Sequence, residues 1–167
     1  APAGNVTVSG GGAGAAYDGT LEAQTNATFR AAGTEVHTIG GSFVFNAGST
    51  FTAAQSTTTF TTTGAARTID VNNAAFYNAA FTGSGSWTVT DSTFTTNRSY
   101  SQSAGAVTFG SGTTTIGASF NATGGTFTMS SPVVFVSTTT GNIIRFNNNS
   151  VPTLRFTGTS GAWSMTD

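Results

Sequence analysis

The chain carries one segment twice. Phe81-Thr-Gly-Ser-Gly-Ser-Trp87-Thr-Val-Thr-Asp91 returns as Phe156-Thr-Gly-Thr-Ser-Gly-Ala-Trp163-Ser-Met-Thr-Asp167. The match extends upstream at an offset of about 75 residues, and such self-similarity at a fixed period is the signature of a repeat architecture. Ile69-Asp70-Val71-Asn72-Asn73 answers to Ile144-Arg145-Phe146-Asn147-Asn148, and Phe45-Asn46-Ala47 to Phe120-Asn121-Ala122. Both copies consist of short alternating strands and polar turns. A long internal repeat of this kind points to a stacked architecture in which each unit buries its apolar face against its neighbours.

The local pattern agrees. From Tyr17 onward apolar residues recur at i, i+2, as in Phe43/Phe45, Ile69/Val71, Trp87/Val89, Val107/Phe109, Val134/Val136 and Trp163/Met165. Period two means strands with one face inward. Clusters of Gly, Ser, Asn and Thr separate them and read as turns. No stretch sustains a helical stripe, so almost no helix is expected. The strands follow one another every six to nine residues, and Asp18-Gly19 is the only Asn-Gly or Asp-Gly dipeptide of the kind hairpins favour. Short strands with small-residue corners fit the coils of an all-β parallel β-solenoid. The tandem repeat divides into three or four rungs of roughly 19–25 residues, giving seven or eight rungs about 35 Å tall at ~4.8 Å per rung. Phe, Val and Ile ladders would fill the interior, with Thr and Ser ladders outside and Asn at the corners. An antiparallel β-sandwich shares the same alternation, and the tandem repeat favours stacking over it.

Residues 1–16 read as a separate segment. Val6-Thr7-Val8 is a short strand, and a Gly/Ala linker follows it. The solenoid is expected over 17–167. Neither end shows a polar cap, and the sequence stops inside an apolar strand pattern at Trp163 and Met165. Exposed edge strands invite pairing. Val6 and Val8 at one end and Trp163 and Met165 at the other are therefore the candidate contacts between subunits, with Val6-Thr7-Val8 a possible donor strand.

Composition narrows the chemistry. Charged residues make up only 7%, and the net charge is −1. Disorder usually combines low hydrophobicity with high net charge, whereas this chain holds 14 Phe. So little charge opposes self-association weakly. The arginines (Arg30, Arg67, Arg98, Arg145, Arg155) are scattered, which argues against a nucleic-acid track. No apolar run reaches the ~20 residues of a membrane span. The chain has no Cys and no Lys, which removes disulfides, thiolate chemistry and Schiff bases.

Candidate sites are few. His37 is the only histidine, and Glu35 shares its strand face. Two ligands make a weak metal pair, so His37 is expected to be an ordinary surface residue. Asp91 and Asp167 occupy equivalent repeat positions and are expected to end strands by accepting turn N–H groups. Each acid stands alone in its rung, unlike the crowded carboxylates of polysaccharide-cleaving enzymes. No catalytic residue, cofactor or metal is expected. Trp87 and Trp163 alternate with Val89 and Met165, which places them in the core. The Thr triplets at 57–59, 61–63, 113–115 and 138–140 do not recur at one rung length, so a flat ice-binding Thr grid is not evident from them.

Motifs such as Phe-Thr-Gly-Ser-Gly-Ser-Trp-Thr-Val-Thr, Gly-Thr-Thr-Thr-Ile-Gly-Ala-Ser-Phe-Asn and Gly-Gly-Thr-Phe-Thr-Met resemble the repeats of large secreted bacterial surface proteins. These are the adhesin, filamentous-haemagglutinin and autotransporter-passenger type of right-handed β-helix. The resemblance covers most of residues 19–167. It implies a secreted, extracellular or cell-surface protein with a structural or adhesive role and no enzymatic activity. The expectation is a homo-oligomeric or polymeric filament, sheath or fibre subunit. The alternative is an ice-binding or carbohydrate-binding module of a larger surface protein, with a glycan or surface ligand as partner.

Overall fold

The computed structural model describes residues 5–8 and 13–167. Strand follows strand, and every pairing among the described residues is parallel and joins one rung to the next. The chain is an all-β parallel solenoid of about seven turns with roughly 21 residues per turn. Among the described residues no helix is long and apolar enough to cross a membrane.

Three faces enclose the core. The first holds β1 (Asn5–Val8), β4 (Thr28–Ala31) and β7 (Thr50–Thr52), then β10 (Ala75–Phe76), β13 (Phe94–Thr96), β16 (Thr114–Ile116), β19 (Val133–Phe135) and β21 (Leu154–Phe156). Its ladder breaks between β7 and β10. The second face is continuous: β2 (Ala13–Tyr17), β5 (Val36–Ile39), β8 (Thr57–Phe60), β11 (Asn78–Phe81), β14 (Tyr100–Gln102), β17 (Phe120–Ala122), β20 (Asn142–Arg145) and β22 (Trp163–Met165). The third holds β3 (Leu21–Ala23), β6 (Phe43–Phe45), β9 (Arg67–Asp70), β12 (Ser86–Val89), β15 (Ala106–Thr108) and β18 (Thr126–Thr128). Of the N-terminal segment, 1–16, the described residues form β1 and most of β2, and residues 9–12 of the expected Gly/Ala linker lie outside the described residues. β1 pairs in register with β4 of its own chain, Val6 opposite Phe29 and Val8 opposite Ala31.

Alternation builds the interior. Each short strand sends one residue in two inward, and register stacks those residues rung upon rung. Phe60 lies flat on Phe81 at 4.8 Å, and Tyr100 on Phe120 at 4.3 Å. Phe29, Phe43, Phe45, Phe51 and Phe76 interlock through edge-to-face and tilted contacts in the first rungs. Fully burying each such ring stabilises the fold by about 1.5–3 kcal/mol. An aromatic column thus carries the core of a chain in which only 7% of residues are charged. Trp87 is fully buried, and Trp163 is half-buried against Phe135 and Phe156.

Corners need special backbone. Asn26, Asn72, Asn73, Asn147 and Asn148 all take positive φ, as Asn tolerates better than most residues. At the corner between the second and third faces Gly105 has φ +72, and a Cβ there would stand 2.5 Å from the carbonyl oxygen of Gly83 in the preceding rung. Backbone stacks directly on backbone at that corner, which is why it is glycine.

The tandem repeat is not a whole number of turns. Ile69 lies on the third face and Ile144 on the second; Phe45 lies on the third and Phe120 on the second; Trp87 lies on the third and Trp163 on the second. The offset spans eleven face positions, or three and two-thirds turns, so each repeated element moves to the adjacent face. What repeats is a local cassette. Asn72-Asn73 and Asn147-Asn148 form matching corners, and each is closed by an aspartate one rung later. Asp91 accepts the N–H groups of Val71 at 2.7 Å and Asn73 at 2.6 Å. Asp167 accepts those of Phe146 at 2.7 Å and Asn147 at 2.7 Å. The turn role expected for both aspartates is thus an inter-rung cap.

Candidate functional surfaces

Among the described residues the last rung, β21 and β22, has a paired strand on one side alone. In a parallel ladder a strand directs alternate residues' backbone groups to its two neighbours. The N–H of Thr157 donates to Phe135 and the carbonyl of Thr153 accepts from Val133, which ties that parity of β21 to the rung before. On β22 the carbonyl of Ala162 and the N–H of Thr166 do the same with Asn142 and Ile144. The opposite parity, Leu154 and Phe156 on β21 and Trp163 and Met165 on β22, therefore aims its backbone groups at the other side. Among the described residues no strand pairs with that side.

Side chains continue the core onto this edge. Phe156 stacks on Phe135 at 5.3 Å and 15°, yet remains half exposed. Met165 is 61% exposed. Trp163 touches both phenylalanines and donates its indole N–H to the carbonyl of Ala118, two rungs back, at 2.9 Å. Trp163 and Met165 are thus brought together with Phe156, which sequence reading missed. Its signal was its repeat partner Phe81, a residue that is wholly buried between Phe60 and Tyr100. Val6 and Val8 lie on β1, at the opposite end of the solenoid.

The third face carries a different surface. Thr68, Thr88, Thr108 and Thr128 stand opposite one another on β9, β12, β15 and β18 and point outward. Ser86, Ala106 and Thr126 form the adjoining column. The rungs are ~4.8 Å apart and the columns roughly 7 Å apart along each strand. A shallow groove of about 440 Å³ runs beside this array, lined by Thr63, Ser84, Ser86, Thr126 and the corner glycines. It holds no titratable group. The triplets singled out in the sequence do not build this ladder. Its members are single threonines, one from each rung.

His37 requires a correction. It is buried at 1% exposure, its ring against Phe29 at 5.2 Å, where a surface position was expected. Strand parity explains this. Ile39 must face inward, and Glu35 and His37 share its side of β5, so Val36 is turned outward at 42% exposure. Glu35 is buried as well. Its Oε2 accepts the Gly33 N–H at 2.9 Å, while Oε1 has no partner. Backbone N–H groups, its own foremost, hold the Glu35 carboxyl below the usual range against the opposing effect of burial. Burial pushes the His37 imidazole down, with Glu35 partly offsetting it. Among the described residues no group of three or more His, Cys, Asp or Glu side chains could hold a metal ion.

No protein-family model, curated protein or solved structure matches this chain.

Proposed function

We propose that this chain is a non-enzymatic structural module of an extracellular filament, sheath or adhesive fibre, and that it associates rung upon rung. The observation that carries this reading is the apolar surface of β21 and β22, where Phe156 stacks on Phe135 yet stays half exposed beside the exposed Met165. Unpaired parallel edges with apolar side chains recruit another strand. The low net charge offers little electrostatic resistance. β1 already occupies the edge of β4 in its own chain, which favours end-to-end association over donor-strand exchange.

Sedimentation velocity over a concentration series, with negative-stain electron microscopy, tests this. The wild type is expected to form linear polymers. Phe156→Asp with Met165→Asp is expected to stay monomeric, with an unchanged unfolding midpoint for the first rungs. Polymers that persist in this variant and vanish in Val6→Asp with Val8→Asp would move the contact to β1. A wild type that stays monomeric at high concentration would end the reading.

A second reading rests on the Thr68–Thr88–Thr108–Thr128 ladder. A rigid, uncharged array of hydroxyls and methyls at regular spacing suits a periodic ligand such as ice or an extended glycan. Thermal hysteresis and glycan-pulldown assays would detect it. Thr88→Tyr with Thr108→Tyr is expected to abolish such binding while changing stability by less than about 0.5 kcal/mol, as surface substitutions usually do. Unchanged binding in that variant would exclude this face.

A further inference from the structure

A buried polar array lies beneath the first rungs. Glu35 and His37 on one rung stand opposite Ser56 and Thr58 on the next, all four facing inward. Glu35 Oε1, both His37 ring nitrogens and Ser56 Oγ have no hydrogen-bond partner. The position of His37 is unusual in two further respects. Its ring packs on Phe29, whose backbone carries Val6 of β1. The β2–β5 ladder also loses register beside it: Ala13 pairs with Val36 and Ala16 with Thr38, leaving Gly14 and Ala15 bulged opposite His37. Both strands of the first rung that adjoin this site, β1 and β2, are therefore held close to this one imidazole.

We infer that the first described rung is acid-labile, and that protonation of His37 loosens β1 from β4 and β2 from β5. The charges around the ring decide the direction. On β5 the only ionisable neighbour is Glu35. β8 offers the hydroxyls Ser56 and Thr58, β4 offers Phe29 with Arg30 turned outward, and β7 offers Phe51. Tyr17 of β2 reaches Phe29 at 6.5 Å rather than the imidazole, and β1 contains no ionisable side chain. An imidazolium has two N–H donors. One carboxylate oxygen can satisfy one of them, and the other is left charged and unpaired in an aromatic core. Because burial holds the folded imidazole below its ordinary value, His37 contributes stability that is present above about pH 6.5 and lost as pH falls below it. The register shift between Ala13 and Ala16 interrupts regular pairing beside His37, and opening is expected to start there. Release would bare the edge of β4, a new parallel strand edge at the end opposite to β21 and β22. This device is independent of association through the last rung.

Hydrogen exchange at pH 7 and pH 5, corrected for intrinsic rates, tests the proposal on the whole chain. One proton taken up on opening lowers protection by at most about tenfold per pH unit. The loss is expected in β1, β2, β4 and β5 and not in β13 to β20. His37→Leu is expected to remove the pH dependence while keeping the first rung protected. The chain has a single histidine, so its imidazole resonances in the wild type give a second measurement that needs no variant. Their midpoint is expected below that of free histidine and to coincide with the first-rung loss. Equal loss in all rungs, a midpoint at the ordinary value without first-rung opening, or unchanged pH dependence in His37→Leu would each overturn it.

Discussion

Asp91→Ala is the sharpest test of how the rungs are held together. The wild-type carboxylate takes two N–H groups from the corner of the preceding rung, Val71 at 2.7 Å and Asn73 at 2.6 Å. That corner contains Asn72 and Asn73, both at positive φ, so its backbone needs an external restraint. Removing the side chain leaves two donors without a partner. Each unsatisfied buried donor costs about 1–3 kcal/mol. Against this, the alanine variant no longer buries a carboxyl, and burial pushes that carboxyl above the usual range despite the two N–H groups. The net cost is therefore placed in the lower half of the summed range, about 2–4 kcal/mol. Urea unfolding followed by tryptophan fluorescence measures it as a lower midpoint at unchanged slope. Asp91→Asn keeps one acceptor and is expected to lose roughly half as much. Asp167→Ala removes the matching cap at an exposed position and is expected to cost no more than about 1 kcal/mol. The sign with pH also follows. A carboxyl raised on folding contributes stability that is fully present below its unfolded value and lost as pH rises through its folded one, so the gap between wild type and Asp91→Ala widens in acid. An Asp91→Ala midpoint equal to wild type, or an Asp167→Ala cost as large as that of Asp91→Ala, would refute the reasoning.

Two further outcomes follow from the same packing. Gly105→Ala adds a Cβ 2.5 Å from the Gly83 carbonyl at a φ of +72, so thermal unfolding should show a loss of roughly 2 kcal/mol or more. Gln102 is buried, accepts the Tyr100 hydroxyl at 2.7 Å and donates to the carbonyls of Thr126 at 2.9 Å and Gly105 at 3.1 Å. Gln102→Leu should cost about 2–4 kcal/mol in urea unfolding, and adding Tyr100→Phe should recover about 1 kcal/mol because the stranded hydroxyl is then gone.

Alternation between apolar and polar residues is a property of the chain itself, so strands with one inward face were legible from Phe43/Phe45 or Trp87/Val89 alone. The tandem segment indicated stacking, and with it a parallel solenoid of seven or eight rungs. The aspartates that close each copy, Asp91 and Asp167, were legible as turn acceptors because a lone carboxylate after a strand has little else to bind. Which residues share a column was not legible. Rung length varies along the stack: the step from Phe43 to its partner Ile69 is several residues longer than the step from Ile116 to its partner Phe135. Each corner insertion shifts every later residue relative to the faces. The tandem repeat therefore lands two-thirds of a turn out of phase. Trp87 is sealed inside, while Trp163 is half-buried on the last rung. The Thr68–Thr128 ladder escaped notice for the same reason: its members are neighbours only once three corners between them have equal length. His37 was misplaced because one β-branched residue on either side, Val36 or Ile39, could have claimed the core. Pairing with Phe60 on the next rung decided for Ile39 and carried Glu35 and His37 inward with it. Local periodicity depends on neighbours two residues apart, and the sequence holds that information outright. Column membership depends on the accumulated length of every corner before it, and only the folded stack sets that sum.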